Sequence, residues 1–178
     1  RAVKEFRIEP SPYLVSFRAT ITDGDRALAP AIVWGPGLGD AQSVTGRGAV
    51  KPRALFSSAG KAQRIVAANI VKQPAYDQNF EYAGIDDTYF MTIALHLGTS
   101  KVTYAPVSIP PAAGSADAAR ELMSYAVEPA SRDETVTFYV GPKALEALSA
   151  LDTSLVRAID FGMFSVIVVP LLRSLKWV

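Results

Sequence analysis

TYFMTIALHL, at residues 88–97, is the stretch of the chain that decides the fold. Its side chains alternate between two sets, Tyr89, Met91, Ile93 and Leu95 on one side and Phe90, Thr92, Ala94 and His96 on the other. Successive residues of a β-strand point to opposite faces, and here both faces are largely apolar. The stretch therefore predicts a central strand that is covered on both sides, with Tyr89 and Phe90 both buried.

Shorter strand-like segments lie on both sides of this stretch, spaced by roughly ten residues. Residues 13–21 alternate cleanly, and Asp23-Gly24-Asp25 follows as a turn. Further strands are predicted at residues 28–34, 54–57, 64–71, 102–109, 122–127 and 135–140, and loops at 35–40 and 110–119. Many short strands separated by turn residues indicate an all-β sandwich or barrel. We predict the sandwich.

Composition and charge are those of an ordinary folded chain. The 178 residues are 49% hydrophobic and 20% charged, enough for one sizeable domain. The net charge of +1 argues against a nucleic-acid partner, because such proteins usually carry a clear basic excess. The absence of cysteine excludes disulfides and thiolate metal sites. We expect no cofactor, and we expect the sequence to be a fragment whose sandwich extends before Arg1.

The pattern changes from strand to helix near Gly141-Pro142. Proline is favourable at the first helical position, and leucines at helical spacing follow it. Asp152, Thr153 and Ser154 can cap a second helix. One face of that helix is formed by Leu155, Ile159, Met163 and Val166. The sequence thus predicts a β-sandwich domain at residues 1–141 and a helical segment at 142–178.

Residues 161–172 carry no charge, and Arg173 and Lys176 follow them. A helix of this length extends about 18 Å, which is short of the ~30 Å hydrocarbon core of a membrane. One interpretation is a helix packed on the sandwich. The other is an amphipathic helix, residues 155–169, that lies at a membrane surface and leads into a span beginning near Pro170. Burial of its four apolar side chains gives at most ~10 kcal/mol in either environment, so energy does not distinguish them.

Three short motifs lie close together in the last quarter of the chain. They read FYVGPK at 138–143, IDFGMF at 159–164 and PLLRSLKW at 170–177. These motifs resemble the end of the large periplasmic domain of the YidC family, where a GPK or GPE turn precedes D-[FY]-G-W and P-L-x-x-L-K-W segments. Met163 stands where that family usually has tryptophan. Upstream, Trp34-Gly35-Pro36-Gly37 resembles the family's WGPG loop, and Tyr89-Phe90 resembles its K-Y-F strand.

The resemblance implies a β-supersandwich, similar to galactose mutarotases, followed by one or two C-terminal α-helices. It implies a non-enzymatic domain on the periplasmic side of the bacterial inner membrane. The family inserts and folds membrane proteins, alone or with the Sec translocon, so nascent membrane proteins and Sec components are the implied partners. The membrane helices that perform insertion would follow Val178, and 142–178 would link the sandwich to them. The linker residues that carry over are Leu155, Ile159, Asp160, Phe161, Gly162, Met163, Pro170, Leu171 and Trp177.

The alternative interpretation is a carbohydrate-binding or mutarotase-like sandwich. Four aromatic residues, Tyr76, Phe80, Tyr82 and Tyr89, could form a shelf that binds sugar or peptide, with Glu81, Asp86 and Asp87 nearby. Such a cluster is more often the edge of a core beside a solvated loop. Mutarotase chemistry needs a histidine and a carboxylate, and His96 is the only histidine. A concave face that exposes His96 beside a carboxylate would favour this alternative. An apolar C-terminal helix leading out of the domain would favour the YidC-like reading.

Overall fold

The computed structural model describes residues 1–10, 13–38, 51–111, 113–114 and 119–159. These residues form a mostly β structure, which confirms the predicted all-β fold class. The strands are β1 (Ala2–Ile8), β2 (Leu14–Asp23), β3 (Arg26–Leu28), β4 (Ile32–Trp34), β5 (Arg53–Ser58), β6 (Lys61–Ile65), β7 (Ala75–Asp86), β8 (Phe90–Ile109), β9 (Arg120–Pro129) and β10 (Val136–Pro142). The helices are α1 (Ala67–Ile70), α2 (Leu145–Leu151) and a 3-10 helix (Thr153–Ala158). The chain divides into two compact units, Arg1–Pro142 and Lys143–Val178.

The longest strand, β8, lies at the centre of an antiparallel sheet in the first unit. One edge of β8 pairs with β7 along most of its length. On its other edge, residues 90–95 pair with β10 and residues 100–109 pair with β9. The sheet continues beyond β10 to β2 and β1, beyond β9 to β4, and beyond β7 to β5 and β6.

Between its two halves, β8 bends at residues 96–98. His96 and Gly98 have φ angles of 51° and 58°, both in the left-handed region. At this point two residue steps on β7, from Phe80 to Tyr82, oppose three steps on β8, from Gly98 to Leu95. A bulge of this kind bends a strand and allows it to pass from one layer of a sandwich to the other. Strands β7 and β8 therefore contribute to both layers.

Aromatic rings from the two layers meet in the core. The Phe56 ring lies 4.9 Å from that of Tyr76 and 6.5 Å from that of Tyr104, and Trp34 stacks on Phe138 at 5.2 Å. The first layer contains β5, the end of β7, residues 90–95 of β8, and β10. Across this layer, one row of paired residues faces the core and the next row is buried on the opposite face. The rows are Phe56, Ala83, Ala94 and Phe138, and then Leu55, Gly84, Ile93 and Tyr139. The two-sided cover predicted for the central strand is confirmed for residues 91–95.

The aromatic pair at the start of this stretch differs from the prediction. Tyr89 and Phe90 are 70% and 50% exposed, so the expectation that both are buried is wrong. The carboxylate of Asp87 accepts hydrogen bonds from the backbone N–H groups of both residues, each at 2.8 Å. This side-chain turn places the two rings at the end of the strand, beyond the covered part of the sheet.

Two element boundaries also differ from the prediction. The strand predicted at residues 64–71 ends at Ile65, and helix α1 follows because the Val66 carbonyl accepts hydrogen bonds from the N–H groups of Asn69 and Ile70. Alanines in this turn favour the helix. Strand β10 continues through Pro142, and α2 begins only at Leu145. The helix start predicted at Pro142 is therefore wrong by three residues.

The buried carboxylate of Asp86 connects three neighbouring strands at one side of the sheet. Its Oδ2 atom lies 3.6 Å from Nη2 of Arg53 on β5 and 3.4 Å from Nε of Arg64 on β6. Both arginine side chains are mostly shielded from water, so water screens these ion pairs weakly. Loss of the negative charge would leave two cations in a poorly solvated position.

We expect Asp86→Asn to lower the free energy of unfolding by about 3 kcal/mol, because it breaks a buried ion pair by removing one partner. Chemical denaturation measures this change. Asp77→Asn, on the same strand but exposed, is the matched control and should change stability by less than about 0.5 kcal/mol. Equal effects of the two substitutions would show that the buried cluster contributes nothing.

Three buried tyrosines keep their hydroxyl groups hydrogen-bonded inside the sandwich. Tyr104 donates to the Leu55 carbonyl at 3.1 Å, Tyr139 donates to the Pro142 carbonyl at 2.7 Å, and the Tyr125 hydroxyl lies 3.3 Å from that of Thr92. Burial raises the pKa of Tyr104 and Tyr125, and it raises that of Tyr139 from 10.0 to about 12. The folded chain thus holds phenolic protons that the unfolded chain loses near pH 10.

The contribution of these tyrosines to the free energy of unfolding should therefore be fully present below pH 10. The free energy of unfolding should fall as the pH rises from 10 to 12. The expected slope is about 1.4 kcal/mol per pH unit for each tyrosine that stays protonated only in the folded state. Urea unfolding at a series of alkaline pH values measures this slope. Tyr139→Phe should reduce it, and an unchanged slope in that variant would contradict the assignment.

Candidate functional site

Of the nine linker residues that the family resemblance carries over, the structure describes two, Leu155 and Ile159, both in the second unit. Leu155 is buried in the 3-10 helix, and Ile159 follows it in an extended conformation at φ −92° and ψ 123°. The Asp152 carboxylate accepts a hydrogen bond from the Ser154 N–H at 2.7 Å, which confirms the predicted cap. The residues outside the described part are Asp160, Phe161, Gly162, Met163, Pro170, Leu171 and Trp177.

The α-helix predicted to begin at Leu155 is not formed in the described residues. The helix there is of the 3-10 type and ends at Ala158, because Ile159 adopts the extended backbone that β-branched residues favour. The part of the prediction at residues 160–169 lies outside the described residues. Within the described residues, no helix has the length and hydrophobicity needed to cross a membrane.

The predicted aromatic shelf is not formed by its four residues. Phe80 and Tyr82 are buried in β7, and Tyr76 packs against Phe56 and Tyr104 in the core. Tyr89 alone is well exposed. Residues 82–86 of β7 are covered on both faces, and in residues 75–80 Tyr76 and Phe80 point inward while the alternate residues are exposed. The aromatic residues of β7 therefore fill the interior and do not form a surface.

His96 lies at the bend of β8, where the sequence predicted regular strand. Its side chain is exposed, and its left-handed backbone is one that histidine adopts more readily than most residues. Within the described ranges, no three His, Cys, Asp or Glu side chains are grouped so that they could hold a metal ion. The bend of β8 thus explains the left-handed backbone and the exposed position of His96.

An open cleft of about 470 Å³ lies between the two layers, at the side where β1 and β2 face β4. It is apolar except for Lys4. Its lining consists of Lys4, Phe6, Val15, Phe17, Ala19, Ile21, Pro30, Ala31, Ile32, Val33, Trp34 and Phe138. The β2 side chains in the lining, at residues 15, 17, 19 and 21, share one face of the strand because side chains of a strand alternate between its two faces. The pairs Phe6–Phe17 and Lys4–Ala19 extend that face onto β1.

Aromatic pairs line the cleft from its buried base at Phe138 to its exposed rim at Phe6. Trp34 and Phe138 stack across the layers with an interplanar angle of 27°, and the Phe6 and Phe17 rings lie 4.7 Å apart. Phe138 is fully buried, whereas Phe6 and Val33 are 70% and 67% exposed. An apolar lining with one basic group at its margin is suited to hydrophobic ligands and not to phosphate or sugar.

Within the described residues, the outer strands of the two layers meet at this cleft. Counted from β8, the first layer continues through β10 and β2 to β1, and the second continues through β9 to β4. In the same residues, β1 pairs with β2 alone and β4 pairs with β9 alone. Residues of both outer strands line the cleft.

The fold and the cleft define the class of protein as an all-β sandwich with an apolar cleft between its layers. Comparison with known families makes the assignment specific. The sequence model of the YidC periplasmic domain matches residues 1–174. The chain therefore belongs to the YidC periplasmic domain family, which confirms the resemblance found in its C-terminal motifs.

Curated relatives agree with this assignment. The chain is 35% identical over 104 residues to a membrane protein insertase YidC of Pelobacter propionicus, covering 57% of this chain and 19% of the relative. It is 35% identical over 97 residues to that of Geobacter metallireducens, covering 54% and 18%. It is 32% identical over 127 residues to that of Geotalea daltonii, covering 62% and 21%. The chain spans about a fifth of the length of these relatives.

The base and the rim of the cleft should respond differently to truncation. Phe138→Ala should cost about 3–5 kcal/mol, because it removes a fully buried ring. Phe6→Ser should cost less than about 1 kcal/mol, because most of that ring is already in water. Guanidinium unfolding of both variants measures the difference. A loss above about 2 kcal/mol in Phe6→Ser would mean that the rim belongs to the core.

Proposed function

We propose that this chain is the periplasmic domain of a bacterial inner-membrane protein insertase and chaperone, which helps membrane proteins to insert and fold. The observation that carries the proposal is the family match over residues 1–174. The relatives are named as membrane protein insertases, which supports the same activity for the longer protein. In this role the domain lies on the periplasmic side and performs no chemical reaction of its own.

The domain acts beside the parts of the protein that cross the membrane. Residues 142–178 link the sandwich to them, with Leu155, Ile159 and the motif at 170–177 in the linker. The charge-free run at 161–172 supports this placement, because it suits a membrane surface better than water. The proposed partners are nascent membrane proteins and components of the Sec translocon.

The alternative function, carbohydrate binding or sugar conversion, is not favoured. The curated relatives are insertases, and the cleft is lined by apolar side chains with Lys4 as its one charged residue. Sugar sites need several polar groups that hydrogen-bond to hydroxyls. His96 at the bend of β8 lies outside the cleft lining.

The decisive experiment replaces the cell's own insertase with the full-length protein that contains this chain. Cells depleted of their insertase should recover the insertion of newly made membrane proteins, measured by protease protection of a pulse-labelled membrane protein. Failure to restore insertion, with the protein correctly folded in the membrane, would rule out the proposed function.

The linker has its own test in the same cells. Replacing Ile159 and Met163 by Asp in the full-length protein should slow insertion severalfold, because charges disfavour an apolar surface position. The isolated chain should lose much less stability. Ala150→Asp, exposed on α2, is the control and should leave insertion unchanged. Loss of folding stability that matches the loss of insertion would show that the segment is ordinary core.

A further inference from the structure

We infer that one end of the first layer contacts the headgroup region of a lipid bilayer through three exposed aromatic side chains, those of Tyr13, Tyr89 and Phe90. This surface is called the aromatic end below. That the bilayer is the membrane in which the insertase lies rests on the proposed function. Contact with lipid rests on the chemistry and the position of the surface itself.

The aromatic end is formed where three neighbouring strands begin or end. Phe90 is the first residue of β8 and pairs with Pro142, the last residue of β10. Tyr13 directly precedes β2, and its carbonyl accepts a hydrogen bond from the Val140 N–H at 2.8 Å. Adjacent strands are about 4.8 Å apart, so the three aromatic residues lie close together at one end of the sheet.

Exposed apolar side chains are concentrated at this end of the sheet. Nine large apolar residues in the described part of the chain are exposed, and five of them lie where the strands end on this side. The five are Ile8, Tyr13, Val66, Tyr89 and Phe90. Scattered single residues of this kind are ordinary on a protein surface, whereas a group of them marks a surface of contact.

The turn that precedes β8 buries its charges and exposes its rings. Asp86 and Asp87 are buried, whereas Thr88, Tyr89 and Phe90 are all exposed. The Asp87 carboxylate accepts hydrogen bonds from two backbone N–H groups of the turn, and the Asp87 N–H donates to the Phe90 carbonyl at 3.0 Å. These bonds fix the turn with both rings outward. Its exposed part is therefore uncharged and aromatic.

Tyr13 is held in place by the strand that leads out of the layer. Its φ of 69° lies in the left-handed region, which residues with a side chain seldom adopt. Its ring packs edge-on against that of Tyr139 at 5.9 Å and lies over Gly141, where an added Cβ would come within 2.7 Å of the ring. Glycine at position 141 thus leaves room for a ring that is fixed and still half-exposed.

Two observations favour a lipid surface over a protein partner. Tyrosine combines an apolar ring with a hydroxyl group, and aromatic side chains of this kind concentrate at the level of the lipid headgroups. Strand β10 ends at Pro142, beside Phe90, and the chain continues from there into the linker. The linker sequence contains the charge-free run at 161–172 and Trp177. The aromatic end is thus next to the point where the chain leaves the sandwich for its most membrane-like segment.

A single fluorescent label tests lipid contact. The chain has no cysteine, so Thr88→Cys introduces one attachment site beside the two rings without removing them. This 178-residue variant is labelled with bimane and mixed with vesicles of phosphatidylethanolamine and phosphatidylglycerol. A nitroxide on the lipid headgroups should quench the label at position 88. A label at Val71→Cys, an exposed apolar position just after α1, is the control and should not be quenched.

Three results of this experiment would overturn the inference. They are failure of the chain to bind the vesicles, equal quenching at the two positions, and vesicle binding without quenching at position 88. The last result would mean that the linker alone contacts the lipid.

Substitution of the exposed rings tests the chemistry of the contact. Tyr89→Ser combined with Phe90→Ser should weaken vesicle binding about tenfold, because the exposed ring surface leaves water only in the bound state. Tyr89→Trp should bind at least as tightly as the parent, since tryptophan also favours the interface. Val71→Ser is the control and should bind unchanged. The linker is the same in every variant, so its own contribution cancels in the comparison.

Chemical denaturation of each variant checks that it is folded. Tyr89→Ser alone, which removes a ring that is 70% exposed, replaces the double variant if that variant unfolds, and it should weaken binding about threefold. Vesicle binding by a folded ring variant as tight as that of the parent would overturn the inference.

The full-length protein separates this inference from the proposed function. With any other cysteines replaced and the protein reconstituted in vesicles, nitroxide lipid should quench the label at position 88. Restored insertion in insertase-depleted cells without this quenching would refute the inference alone. Quenching without restored insertion would refute the proposed function alone. A photocrosslink from position 88 to a protein, without quenching by lipid, would also overturn the assignment to lipid.

Discussion

The bend of β8 at residues 96–98 is the constraint on which the rest of the sandwich depends. Before it, β8 pairs with β10, and beyond it, β8 pairs with β9. The two layers are therefore parts of one continuous sheet, folded over at His96 and Gly98. Gly98 adopts a left-handed backbone without a steric cost, whereas His96 does so at a cost of roughly 1 kcal/mol. The contacts of Phe56 with Tyr76 and Tyr104 across the layers offset that cost.

The cleft follows from the same connectivity. In the described residues, both layers extend outward from β8 and β7, and the cleft lies at their outer strands, where β1 and β2 face β4. The uncovered face consists of alternate residues of β1 and β2, which are apolar over most of its length. A stable sandwich therefore presents an apolar opening without loss of its main core.

The sequence allowed prediction of the class of fold, most strands and the family, but not of the cleft. The alternation at residues 91–95 fixes a strand with two covered faces, and motifs such as FYVGPK carry the resemblance. Strands β1 and β7 were not predicted, because a polar residue interrupts the apolar face of each, Lys4 in β1 and Gln78 in β7. The cleft depends on which strands lie opposite each other across the layers, and that matching is set by the left-handed backbone at His96. No local pattern reveals it, so the aromatic residues of β7 were assigned to a surface when they belong to the core.

Amide hydrogen exchange of the 178-residue chain tests the central claim most directly. Because the two layers are parts of one sheet bent at residues 96–98, the protected amides of β8 on both sides of the bend, at residues 91–95 and 102–104, should exchange only through global unfolding and with the same free energy of opening. Opening of one half of β8 at a free energy several kcal/mol lower than that of the other half would contradict the account, because the two layers would then be independent.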